Sequence, residues 1–181
     1  MLQNYSRWGV LRVFFDDPNP KEGFTIRWIS KEIGLSQPSV KLHLDELSKT
    51  GQYGYPLVMR EKGRTYPTYW ANRASEFFRF YKKIDMIFRI RESGLLDLLS
   101  SRCDPDCIIL FGSASRGEDL MGSDIDIFVA SEEKKLELGR HEKGLKRKIS
   151  LHFSGNFSGL PDELKNNIIN GIMLQGYLKV F

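Results

Sequence analysis

Apolar and polar positions alternate along this chain in three different rhythms. Residues 5–15, YSRWGVLRVFF, repeat apolar positions at helical spacing and stop at Asp16, Asp17, Pro18 and Pro20, where proline ends a helix. Thr25 can cap IRWISKEI, about two turns that close at Gly34. Ser36 can cap a third helix with Pro38 in its first turn and Val40, Leu44 and Leu47 along one face, running to a stop at Gly51. The link between the second and third helices is only Gly34-Leu35-Ser36, the short glycine-containing connection of a helix-turn-helix. After it, LVMR and TYPTYW read as two strands around Glu61-Lys62-Gly63-Arg64, with Gly63 in the turn.

Residues 74–101 return to helical spacing. Phe77, Phe80, Ile84, Ile87 and Phe88 recur at three- and four-residue steps, and Gly94 divides the segment into two helices. A stripe of this kind is expected to pack against a core. The pattern then changes to Cys107-Ile108-Ile109-Leu110-Phe111, a nearly continuous apolar run, as in a strand buried on both faces. It ends in Gly112-Ser113. A second strand runs from Ile125 to Ala130, preceded by Ser123-Asp124, and a basic helix is expected over 132–147 before a strand at Lys148–Phe153. The tail has Pro161 at a helix start, apolar spacing through Leu164, Ile168 and Ile169, and Gly171 at its end, a helix and short strand assigned to packing.

Composition narrows the class. The chain has 181 residues, 41% hydrophobic and 28% charged, enough apolar content for a real core in one large domain or two small ones. No charge-free apolar run approaches the roughly 18 residues a membrane span requires, and the first residues lack a signal peptide's apolar stretch, so a cytoplasmic location is expected. Cys103 and Cys107 form an isolated C-x3-C, which reads as two reduced thiols. Basic side chains outnumber acidic ones 27 to 23. The excess sits in residues 1–73, suiting contact with a nucleic-acid backbone.

The candidate chemistry lies between residues 106 and 130. Strand alternation turns Asp124 and Asp126 to one side, where two like charges repel and need a cation. Hard carboxylate oxygens favour Mg²⁺ or Mn²⁺. Without a side chain at Gly112 the backbone can approach a triphosphate, to whose oxygens the amides and the Ser113 hydroxyl can donate, and Arg116 adds a cation nearby.

The string IILFGSASRGEDLMGSDIDIFVA resembles the signature of the DNA polymerase β-type nucleotidyltransferases, closest to the minimal prokaryotic members. The N-terminal third, with GLSQPSVKLHLDEL as turn and recognition helix, resembles a winged helix-turn-helix, and the whole arrangement is similar to predicted archaeal nucleotidyltransferases fused to a DNA-binding module. The resemblance implies an α+β chain: a winged helix-turn-helix over 1–73, a helical connector over 74–101, and a nucleotidyltransferase fold with a small mixed sheet over 102–181. It further implies that Asp124 and Asp126 bind two divalent ions while Gly112, Ser113, Arg116 and Ser123 hold an NTP, whose NMP moiety passes to an unknown acceptor hydroxyl with loss of pyrophosphate. On the winged unit it points Gln37, Ser39, Lys41 and His43 outward to double-stranded DNA, with Arg60, Lys62 and Arg64 at the wing tip. The family's third carboxylate has no counterpart: Ser150 and His152 stand on the face where it is expected. Three accounts stay open, namely His152 as ligand or base, Glu118 or Asp119 moving in from the loop, or nucleotide binding without catalysis. The alternatives to a transferase are a DNA-binding regulator with a nucleotide-sensing or inactive domain, and an antitoxin-like partner of a helical toxin. A homodimer is compatible with either.

Overall fold

The computed structural model of the chain describes residues 6–17, 20–50, 55–63 and 65–180. It is a mixed α+β structure of two compact units, one reaching to Lys82 and the other beginning at Lys83.

In the first unit, α1 (Ser6–Asp16), α2 (Ile26–Ile33) and α3 (Gln37–Leu47) precede a hairpin of β1 (Val58–Glu61) and β2 (Thr68–Ala71). The caps read from sequence are in place: the Thr25 hydroxyl accepts from the Trp28 amide, the Ser36 hydroxyl accepts from the Ser39 amide, and Gly34 closes α2 in the left-handed region. Phe24 makes an isolated bridge to Tyr69, so the segment entering α2 is tied to the hairpin. The helix expected from Tyr5 covers Ser6–Asp16, α3 ends at Leu47, and both Pro18 and Gly51 lie outside the described residues. The core gathers Val10, Phe14, Ile29, Val40, Leu44, Val58 and Tyr69 from all five elements. Phe14 is fully buried and stands edge-on to Phe24. Phe14→Ala is therefore expected to cost about 3–5 kcal/mol, read as a lower denaturant midpoint for this unit.

The helix α4 (Glu76–Glu92) carries a correction. Of the aromatic stripe expected to pack, Phe77, Phe80 and Phe88 are 42%, 49% and 39% exposed. The buried line is instead Phe78, Lys82, Asp85, Met86 and Ile90. Two charged residues on that line broke the hydrophobic pattern, so the periodicity selected the neighbouring face.

In the second unit, α5 (Leu95–Cys103) leads into a four-stranded mixed sheet in the order β5-β4-β3-β6. Its strands are β3 (Cys107–Phe111), β4 (Ile125–Val129), β5 (Ile149–Phe153) and β6 (Ile172–Gly176). Strand β3 is antiparallel to β4 and β6, and β4 is parallel to β5. Alternation sorts the side chains cleanly. Ile108, Leu110, Ile125, Ile127 and Val129 pack with Leu95, Leu96 and Leu99, whereas Cys107, Ile109, Phe111 and Phe128 pack with Phe157 and with Ile168 of α8 (Asp162–Ile169). Cover on both faces explains why β3 reads as unbroken hydrophobic sequence. Between β3 and β4 the chain makes the short helix α6 (Gly112–Arg116).

The helix expected over 132–147 is only α7 (Gly139–Leu145). Leu136 and Leu138 pack on the core from a non-helical segment, and their two-residue spacing suits extended chain rather than one face of a helix. Both cysteines are free and buried. Burial, together with the charge of Asp106, raises the Cys107 thiol to about 11. At pH 8 the native protein is expected to leave Cys107 unreacted with a thiol-specific disulfide reagent until denaturant is added.

Candidate active site

The site forms where β3 ends and β4 begins. Phe111 is in register with Asp126, so the Gly112 turn at the end of one strand abuts the second carboxylate of the other. Gly112 has φ +70°, a conformation that favours glycine, and a Cβ added there would collide with the Asp126 carboxylate. The Ser115 hydroxyl donates to the Gly112 carbonyl at 2.8 Å and holds the turn, while Ser113 lies half-buried beside it.

Asp124 is exposed and sits just ahead of β4, and Asp126 is the second residue of the strand, on the Phe128 side. Burial raises the Asp126 carboxyl above the ordinary range; nearby His152 opposes the shift and Asp124 adds to it.

Across the parallel pair, Ser150 is opposite Asp126 and His152 opposite Phe128. The His152 Nε2 is 3.2 Å from the Ser150 Oγ and 3.9 Å from Asp126 Oδ1, and the ring stands edge-on to Phe111. The strand on which a third carboxylate was expected thus carries a serine in register with Asp126 and a histidine whose Nε2 lies 3.9 Å from the Asp126 Oδ1. Among the described residues no group of three or more His, Cys, Asp and Glu side chains is gathered for a metal ion.

The remaining predicted residues fall into two sets. Arg116 is about half exposed and pairs with Glu118, Nε to Oε2 at 2.7 Å, whereas Asp119 is buried. The Ser123 hydroxyl accepts from the Leu120 amide at 2.9 Å, which shapes the loop that delivers Asp124. On the first unit, Gln37 and Lys41 are exposed and Ser39 is half-buried at the start of α3. The His43 side chain is only 16% exposed, with Nδ1 3.9 Å from Glu46, and so departs from the outward-facing set; it lies one residue before buried Leu44. Leu42, which the sequence reading passed over, is 59% exposed. Arg60 and Lys62 are exposed at the end of the hairpin, and Arg64 lies outside the described residues.

The glycine turn that closes β3 thus lies against Asp126 of β4, with Asp124 just ahead of that strand. Residues 93–172 match the model of one protein family, described as a nucleotidyltransferase domain, and the match spans α5, the turn, both aspartates, β5 and α8. Comparison with curated proteins gave no match, and comparison with solved structures gave none either. Among the described residues no helix is long and apolar enough to cross a membrane.

Proposed function

We propose that the chain is a metal-dependent nucleotidyltransferase of the polymerase β type, moving an NMP from an NTP to an acceptor hydroxyl, and that its first unit is a winged helix-turn-helix that brings it to DNA. The observation that carries the transferase reading is the packing of Gly112 against Asp126. It sets backbone without a side chain, open to a phosphate, beside the Asp126 carboxylate.

The donor set fits a hard divalent cation. Two mutually repelling carboxylates, one of them partly desolvated, supply charge, and a Mg²⁺ ion held by only two carboxylates completes its shell with phosphate oxygens and water. Asp124 and Asp126 would hold it. Bound there, it would supply electrostatic stabilisation of the phosphoryl oxygens during displacement. The residues around it would do the positioning. The Ser113 hydroxyl and adjacent amides would donate to the terminal phosphates, and Arg116 would leave Glu118 to contribute a further cation. His152 stands within reach of Asp126 and Ser150, placed to orient the acceptor hydroxyl or to take its proton. The new bond joins the acceptor oxygen to the α phosphorus as the α–β bond breaks, and pyrophosphate leaves with the bonding electrons.

The winged reading of the first unit rests on three helices, a hairpin with exposed Arg60 and Lys62, and the Phe24–Tyr69 bridge that ties the α2 entry to the hairpin. Gln37 and Lys41 are its candidates for groove contacts, with Ser39 beside them.

Incubation with each α-labelled NTP, Mg²⁺ or Mn²⁺ and a cell extract as acceptor source tests the activity. Label transferred by the wild type and lost in the Asp124→Ala, Asp126→Ala double variant is the expected result. The presence of Ser150 and His152 where a carboxylate would complete the site favours a second reading, a DNA-binding regulator that senses nucleotide. Metal-dependent NTP binding with no transfer to any acceptor would select it.

A further inference from the structure

The second unit carries an uneven charge distribution that the transferase reading leaves unused. Residues 106–181 contain ten basic and eleven acidic side chains, yet five of the ten basic ones, Arg140, Lys143, Lys146, Arg147 and Lys148, fall within residues 139–148. The single acid in that stretch, Glu142, turns its carboxylate inward, where Oε1 accepts the Ile149 amide at 3.0 Å. Arg140, Lys143, Lys146 and Lys148 are exposed.

The placement of this run matters more than its charge. The Lys148 carbonyl accepts the amide of Ile125 at 2.9 Å, and Ile125 lies between the two aspartates. With Ile125 in register with Ile149, Lys148 stands level with Asp124 at the same end of the sheet as the Gly112 turn. Lys143 and Lys148 are five positions apart, a span of at most roughly 18 Å. The chain therefore presents a short cationic track that ends beside the carboxylate pair. An NTP needs no such track, because its phosphates are to be met at the turn. A polyanion longer than a triphosphate does, since successive phosphodiesters gain from successive Lys and Arg contacts.

We infer that the acceptor is the 3′ end of a nucleic-acid strand, whose phosphates run along Arg140, Lys143 and Lys148 and whose terminal hydroxyl reaches the Asp124–Asp126 site. This rests on the transferase reading. The 3′-hydroxyl oxygen bonds to the α phosphorus of the NTP, the α–β bond breaks, pyrophosphate leaves with the electron pair, and the hydroxyl proton passes to solvent, directly or by way of His152.

The test separates binding from transfer. Fluorescence anisotropy of 5′-labelled single-stranded RNA and DNA 12-mers is measured with the full chain, without NTP or divalent ion, across a salt series. The Arg140→Gln, Lys143→Gln, Lys148→Gln variant is expected to bind at least about tenfold more weakly. Its dependence of log K on log salt is expected to be shallower by about 2, three contacts at roughly 0.7 each on a single strand. A Lys143→Arg, Lys148→Arg variant keeps the charge and is expected to bind as the wild type does. An Arg60→Gln, Lys62→Gln variant reports any share taken by the first unit. With labelled NTP and Mg²⁺, a strand ending in a 3′-hydroxyl is expected to take label and a 3′-deoxy strand to take none; the preferred arm tells RNA from DNA. Unchanged affinity and salt slope in the triple glutamine variant would overturn the inference, as would label passing to protein while strands stay unlabelled. Strand binding that depends on the three cations, with no transfer to any acceptor, would overturn the transferase reading and leave the strand site standing.

Discussion

Asp126→Asn is expected to lower nucleotidyl transfer by about 100-fold or more while raising the melting temperature of the metal-free protein. The activity loss follows from the donor set. With Asp124 and Asp126 as the proposed ligands and Ser150 in register with Asp126, removing one carboxylate halves the charge available to a divalent ion. A metal ion's stabilisation of transferring phosphoryl oxygens is worth several kcal/mol, at about 1.4 kcal/mol per factor of ten in rate. The stability gain has a separate cause. Burial, and to a lesser degree the charge of Asp124, holds the folded Asp126 carboxyl above its ordinary range, so ionising it is harder in the folded chain than in the unfolded one. The folded state then binds more protons through that window, and stability falls as pH rises from the ordinary carboxylate range through the raised value. Asparagine removes that penalty. The gain should be present near neutral pH and vanish below the ordinary carboxylate range, where Asp126 is neutral in both states. Adding Mg²⁺ with an NTP should reverse the order, since ligand that binds only the folded state stabilises the wild type and not the variant. Thermal melts at several pH values with EDTA, and again with Mg²⁺ and NTP, check both signs. Equal melting behaviour with and without Mg²⁺–NTP in the wild type would remove the case for a cation at this pair.

Much of this site was legible before any coordinates. The apolar run 107–111 announced a doubly covered strand because both faces of β3 are in fact packed, and the Asp124–Asp126 pair straddles the start of β4, which the Gly112 turn meets. Alternation alone also put Ser150 and His152 on one face of their strand, and the parallel pairing sets Ser150 opposite Asp126 and His152 opposite Phe128. What sequence could not supply was the close packing of Gly112 on Asp126, because the register of β3 against β4 is a long-range fact. Nor could it show that Glu118 is engaged by Arg116, or that the Ser123 hydroxyl serves the Leu120 amide. The misread face of α4 has a different origin. Lys82 and Asp85 are buried against expectation, and a periodicity count that scores charge as exposed must then choose the wrong stripe. His43 shows the same limit on a smaller scale: a polar residue beside Leu44 was taken as outward, yet most of its surface is covered.

Gly112→Ala is expected to destabilise the second unit by about 1–2 kcal/mol and to cut transfer on the order of 100-fold, two effects with separable causes. The first is backbone strain, since a φ of +70° penalises any residue with a Cβ. The second is local. The new methyl would occupy the space of the Asp126 carboxylate, and the backbone at Asp126 is held by pairing to Phe111 on one side and Ser150 on the other. The side chain must therefore rotate away, and a displacement near 1 Å in a reacting group is enough for about a 100-fold loss. Gly122→Ala supplies the comparison: its φ is +89°, but an added Cβ meets nothing within 4 Å. That variant is expected to lose similar stability and keep most of its activity. If Gly112 acts through Asp126, its substitution should cost little further activity in the Asp126→Asn background, where the carboxylate is already gone. Additive losses in the double variant would instead mean that the turn itself, through its approach to phosphate, is what the methyl group blocks.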